Sequence, residues 1–310
     1  MSEEHPTLLA EPPTRPSIDI DSLRNFLDSI RSFAGEALIL ERPDVSNLYH
    51  YTDYGGFRGI VENRDLWLTH LRFSNDEEEM THGKKLVFST LEAMSQSAHS
   101  EREVYLRALK ELLQQPVADG VYICCFCEKD NLLSQWRGYG ANGVGVSVEI
   151  QPQVFEHLTG PDCPYGLMRL WKVFYEEKRQ RSIIEKAIEF AWMSTHLPPE
   201  KRAQNAADAI QFFIPTFKNT DFAGEEEWRL IFTPAPMSPV KPEFRIGRNL
   251  LVPYYRLQAL GWGAVPLPIT GVCIGPGVHR FINAESVRML LDQNGYSNVP
   301  IRVSQTPYRG

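Results

Sequence analysis

The stretch LYHYTDYGGFRGIVENRDLWLTHLRFSNDEEEM, from Leu48 to Met80, sets the reading of the whole chain. It opens with Leu48-Tyr49-His50-Tyr51, a short strand whose alternate side chains face opposite sides of a sheet. Thr52 and Asp53 can each cap a helix running to about Asn63, since a side-chain oxygen there accepts from the unpaired first-turn amides. Phe57, Ile60 and Val61 then fall at i, i+3 and i+4 and give that helix one apolar face. Leu66-Trp67-Leu68-Thr69 predicts a second strand, and Ser74 to Glu79 a polar turn dense in carboxylates. Strand, one-sided helix and strand make a unit that can wall a cleft. His50, Thr52 and Asn75 would lie near its open edge.

Upstream, residues 1–17 are polar and Pro-rich and read as a disordered lead. Residues 18–44 hold a helix, spaced by Leu23, Phe26, Leu27, Ile30 and Phe33, and a linker. Residues 45–310 read as one domain. Downstream, helices are expected over Asn75 to Ala98, with an acidic first turn that suits the helix dipole, and over Ser100 to Gln115. An apolar strand over Val121 to Phe126 leads into a turn, Ser134-Gln135-Trp136-Arg137-Gly138-Tyr139-Gly140. Strands follow at Val144 to Ile150 and Leu170 to Glu176, and helices at about Arg179 to His196 and Arg202 to Lys218, the latter interrupted by Pro215. Glu225-Glu226-Glu227 runs into a strand at Trp228 to Phe232. The chain closes with a strand at Val272 to Ile274, a helix at Ala284 to Asn294 and a strand at Ile301 to Ser304. Strands and helices mix without a regular βαβ rhythm, which predicts an α+β fold. Neither GANGVG nor GPG matches a dinucleotide fingerprint or a P-loop.

With 310 residues, 43% of them hydrophobic, the chain can bury a core without staples. Its 39 acidic and 32 basic residues leave a net charge of −7, without the global basic footprint of a duplex-DNA binder. The five cysteines are odd in number, and Cys124, Cys125 and Cys127 sit in the apolar run VYICCFC without zinc-site spacing. They read as buried thiols of a reducing compartment. No signal peptide or membrane-length apolar run is seen, so a cytoplasmic protein without a membrane partner is expected.

Three segments bring polar groups to strand edges: His50 with Tyr51 and Thr52, then Gln135 to Tyr139, then Glu225 to Arg229. The ordered motifs LYHYT, SNDEEE, CFC, LLSQWRGYG, GVGVSVE, EEEWRL and IGPGVH resemble the bacterial domain-of-unknown-function family 2971 over Leu48 to Arg309. That resemblance carries no activity with it. The order of His, aromatic and Glu-x-Glu is also similar to ADP-ribosyltransferases of the His-Tyr-Glu kind. That second resemblance implies a split-sheet core with surrounding helices, holding NAD as substrate in a cleft.

On that resemblance His50 would bind the adenosine-side ribose, with Thr52 beside it. Tyr139, or alternatively Tyr51, would stack on nicotinamide. Glu227 would be the catalytic carboxylate on the nicotinamide ribose, with Glu225 on the same face of an extended chain. Arg137 or Arg229 would pair with the pyrophosphate. Glycosidic cleavage develops positive charge on the ribose, and a carboxylate beside it stabilises that charge. No metal is required. The acceptor, protein or nucleic acid, is not readable, and a toxin or anti-phage effector is the biological setting that fold analogy suggests. Two other readings stand beside it. One is a metal-dependent nuclease or phosphohydrolase using Asp76, Glu78, Glu225 and Glu227 on Mg²⁺ with His50 as base. The other is a non-enzymatic binding or sensor module whose polar motifs knit the fold. In that third reading Arg229 pairs internally with Glu227 or Glu78, and the tryptophans are core.

Overall fold

A computed structural model of the protein describes residues 45–74, 77–114, 120–155, 158, 165–235, 238–247, 249–262 and 266–307. The expected lead and helix of residues 1–44, Asn75, Asp76, the side chain of Glu78 and the terminal Tyr308-Arg309 lie outside the described residues. From Leu48 to His70 the deciding stretch folds as read. Strand β1 (Leu48–Thr52) is followed by helix α1 (Tyr54–Asn63) and strand β2 (Trp67–His70). Asp53 caps α1, its Oδ1 accepting from the Gly56 amide at 2.7 Å. Phe57, Ile60 and Val61 are buried, each burial stabilising by about 1.5–3 kcal/mol.

The remaining elements are α2 (Glu77–Ser95), α3 (Glu101–Gln114), β3 (Tyr122–Cys127), α4 (Leu133–Gly138), β4 (Val146–Ile150), β5 (Gly166–Lys172), α5 (Glu177–Met193) and α6 (Pro199–Phe213). After them come β6 (Glu227–Pro234), β7 (Glu243–Gly247), β8 (Leu250–Arg256), β9 (Ile269–Ile274), α7 (Arg280–Gln293) and β10 (Ile301–Val303). Among the described residues the strands form one ten-stranded sheet, antiparallel except for β9 and β10. This is an α+β fold.

The sheet divides at β3. Along one edge β3 pairs with β6 over its whole length, from Tyr122↔Phe232 to Cys127↔Glu227. Its other edge is shared by two strands: β2 beside Tyr122 and Ile123, and β1 beside Cys127. Between them no strand of the described residues covers Cys124, Cys125 and Phe126 on that edge. From β1 the sheet continues to β4, β9 and β10, and from β2 to β8 and β7. Helices α2, α3, α5 and α6 pack a core against one face, through Ile123, Trp171 and Ile231. Helices α1 and α7 cover the other face, through Cys124, Phe126, Trp228 and Leu230.

Several local expectations are corrected. The segment read as a turn, Ser134 to Gly140, is mostly the short helix α4, held down by Trp136, which is fully buried against Tyr51, Cys127 and Cys273. Strand β5 begins at Gly166 rather than Leu170 and ends at Lys172, because Phe174 turns away to bond the Thr216 carbonyl. Helix α6 begins earlier than expected, at Pro199, and stops at Phe213, where the interruption expected at Pro215 is found, since the missing N–H cannot extend the helix. The hairpin of β7 and β8 has no counterpart in the sequence reading. Its outer face is apolar and Pro253 interrupts it, so strand alternation does not stand out.

Candidate functional site

The gap in the edge of β3 is filled by a side chain from β1. His50 Nδ1 lies 2.9 Å from the Cys125 carbonyl, which can only accept, so Nδ1 carries the proton and Nε2 keeps its lone pair. Burial lowers the His50 pKa, with the Cys125 bond opposing, and the ring is neutral at pH 7. Beside this junction opens a small pocket, lined by Tyr49, His50, Tyr51, Cys125, Phe126, Gln135, Tyr139, Glu225 and Glu227. It draws residues from both faces of the sheet because it sits where β1 and β3 part.

Helix α4 forms the second wall. Tyr51 fixes it, donating its hydroxyl to the Lys129 carbonyl at 2.7 Å and accepting from the Leu132 amide at 2.9 Å. Trp136 meets the Tyr51 ring edge-on at 4.7 Å and donates Nε1–H to Asn131 Oδ1 at 2.8 Å. With that face anchored, Gln135 and Tyr139 turn toward the pocket. Gly145 lets the loop behind α4 close on β1, since a Cβ there would come 2.2 Å from the Thr52 carbonyl oxygen. Burial, then the negative charge of Glu227, raises the Tyr139 pKa, so its hydroxyl stays protonated and can donate.

The third wall is a buried charge network. Glu227 accepts from Arg229 Nε at 2.7 Å and Nη2 at 3.0 Å, and from Lys218 Nζ at 2.9 Å. Lys218 Nζ also reaches Glu225 Oε2 at 2.6 Å. Arg229 Nη1 donates to the Pro215 carbonyl at 2.8 Å, and the Tyr175 hydroxyl accepts from the Glu227 amide at 2.9 Å. Burial alone would raise the Glu227 pKa. The charges of Arg229 and Lys218, with hydrogen bonds from Arg229 and the Cys125 thiol, outweigh it and hold the carboxyl well below the usual carboxylate range. Glu227 therefore carries a fixed negative charge and is a poor proton shuttle.

Of the residues singled out by sequence, His50, Tyr51, Tyr139, Glu225 and Glu227 meet in this pocket. Thr52, Arg137 and Arg229 are not among its lining residues: Thr52 ends β1, Arg137 is exposed, and Arg229 is buried against Glu227. The expected extended chain from Glu225 to Glu227 is corrected. Glu225 ends a 3-10 turn and Glu226 is left-handed at φ 47°, yet both neighbouring carboxylates still converge on Lys218. Lys218 escaped the sequence reading, its signal being one cation inside the apolar run FFIPTFKNTDF. Among the described residues no group of three or more His, Cys, Asp or Glu is placed to hold a metal ion.

The segment that supplies α4, Lys218 and the Glu-x-Glu turn also has a sequence match. Residues 135–230 match the family model described as Protein of unknown function (DUF2971). The DUF2971 match includes Gln135, Tyr139, Lys218, Glu225, Glu227 and Arg229, and leaves β1 and β3 outside it. No curated protein and no solved structure matches the chain. No helix among the described residues is long and apolar enough to cross a membrane.

Proposed function

We propose that the pocket takes the nicotinamide-ribose end of NAD, and that the protein cleaves the N-glycosidic bond and passes ADP-ribose to an acceptor or to water. The observation that carries this reading is the convergence of His50, Tyr139, Glu225 and Glu227 from three distant segments on one pocket. The walls Tyr49, Phe126 and Tyr139 offer aromatic faces to a flat pyridinium ring. The Glu225 carboxylate, at the more open edge of the network, suits a cationic substrate and the oxocarbenium-like transition state that follows. In the reaction the C1′–N bond breaks and its electron pair leaves on neutral nicotinamide. The nucleophile bonds C1′ and gives up its proton to Glu225. Neutral His50 accepts a ribose hydroxyl at Nε2, and Tyr139 donates one hydrogen bond. Depletion of NAD or modification of a host target by such an activity would fit a toxin or anti-phage effector.

The test is nicotinamide release from NAD, with and without cell extract as acceptor source. Wild-type protein should release it in the presence of EDTA, and Glu225→Gln and Tyr139→Phe should each slow release by roughly 10²-fold. Abolition by EDTA with rescue by Mg²⁺ would turn the site to metal-assisted hydrolysis. No release and no NAD binding by calorimetry would end the NAD reading.

A further inference from the structure

Strand β7 ends the sheet with one edge unpaired among the described residues. The hairpin presents a row of apolar side chains to solvent: Phe244 is 59% exposed, Ile246 84% and Leu251 63%. All three lie on one face, since Ile246 pairs with Leu251 and Phe244 with Pro253. Natural edge strands are usually short, charged or covered, and an apolar one marks a surface that pairs.

Gly247 pairs with Leu250, closing a two-residue hairpin loop in which Asn249 has φ 62°. The closing residues bond to each other across the turn, so Gly247, Arg245 and Glu243 direct their amides and carbonyls toward β8. Phe244 and Ile246 direct theirs outward. We propose that a second copy of this chain adds its own β7 to this edge, antiparallel, about a two-fold axis at Phe244.

That register is self-complementary in backbone and in charge. Phe244 and the partner subunit's Phe244 exchange both of their outward N–H···O bonds. Ile246 N–H reaches the carbonyl of the partner's Pro242, which needs no N–H of its own to accept. Glu243 then stands opposite the partner's Arg245, and Arg245 opposite the partner's Glu243, at a spacing where opposite charges attract. Both side chains are already held beside the strand, Glu243 by the Tyr254 hydroxyl at 2.8 Å and Arg245 by Thr69 Oγ1 at 3.2 Å. Shifting the axis to Arg245 would face arginine with arginine. On the other face Phe244, Ile246 and Leu251 of both copies join into one apolar strip that shields itself from water. An isologous pair of this kind closes on itself and does not propagate.

Sedimentation velocity on the full chain, over a dilution series from submillimolar concentration, tests the assignment. Wild-type protein should sediment as a dimer that dissociates on dilution. Phe244→Asp should leave it monomeric, with thermal unfolding confirming that it is folded. Glu243→Arg should weaken the dimer at least tenfold, and adding Arg245→Glu to it should restore association, an independent test should the Phe244 variant not fold. A wild-type monomer at every concentration overturns the proposal, including a monomer whose β7 amides are protected from exchange by some other segment. A dimer indifferent to Phe244→Asp, or a double charge exchange that does not restore it, also overturns it.

Discussion

At Glu227 two cations converge on one carboxylate beneath the sheet surface, and the balance there is easily broken. Replacing it by Gln leaves Lys218 and Arg229 buried with only Glu225 nearby, which should cost about 3–5 kcal/mol in urea unfolding. For this reason Glu225→Gln, at the 14%-exposed edge of the network, is the cleaner probe of chemistry. The same geometry fixes a pH dependence. The folded pKa of Glu227 is depressed, so its contribution to stability is complete above the ordinary value of 4.5 and is lost as pH falls toward about 2. Stability of the wild type should drop steeply across that window and that of Glu227→Gln less steeply, as read by urea midpoints at stepped pH. Equal slopes would mean that Glu227 is not held as described. Much of this site was legible beforehand. The two-residue spacing of Glu227 and Arg229 puts them on one strand face, which allows their ion pair. Lys218 was not legible, because nothing in local spacing says that the residue after the Pro215 turn returns to the sheet.

Element by element, the pocket depends on short pieces held by long-range contacts. Helix α4 has no side-chain cap at Leu132 and only six residues, too few to persist alone. It stands because Trp136 and the Tyr51 hydroxyl hold it, and because Gly145 allows the loop behind it to touch β1. Gly145→Ala would drive a methyl into the Thr52 carbonyl and should destabilise by about 1–3 kcal/mol, displacing Tyr139. Gly138→Ala, with nothing within 4 Å of the added carbon, should melt within a degree or two of wild type, roughly as a surface change does. A thermal melt of both variants decides whether close approach, and not glycine content, is what matters. Sequence patterns served well where burial is one-sided, as in α1, and poorly in α4, whose six residues are too short to show a period. They failed for β7 and β8, where apolar side chains face water and break the usual link between hydrophobicity and interior.

On the scale of the molecule, β3 is the strand that both halves of the sheet require. It has β6 along the whole of one edge, β1 and β2 at the two ends of the other, and a helical layer on each face. Hydrogen exchange should therefore be slowest in β3, proceeding only through global unfolding, and much faster in the edge strand β10. Similar rates in the two would mean that the halves open independently. The α+β class was readable from the order of elements, but the division at β3 was not, since no single strand announces how many neighbours it will have. That division also bears on how the protein is born. As the ribosome extends the chain, β1, β2 and β3 emerge early, yet β2 waits for β8, its register set by Leu68↔Tyr255. At roughly 5–20 residues per second the nascent β2 edge stays bare for about 10–40 s. A cell that makes this protein must keep that unfinished edge from finding another chain first.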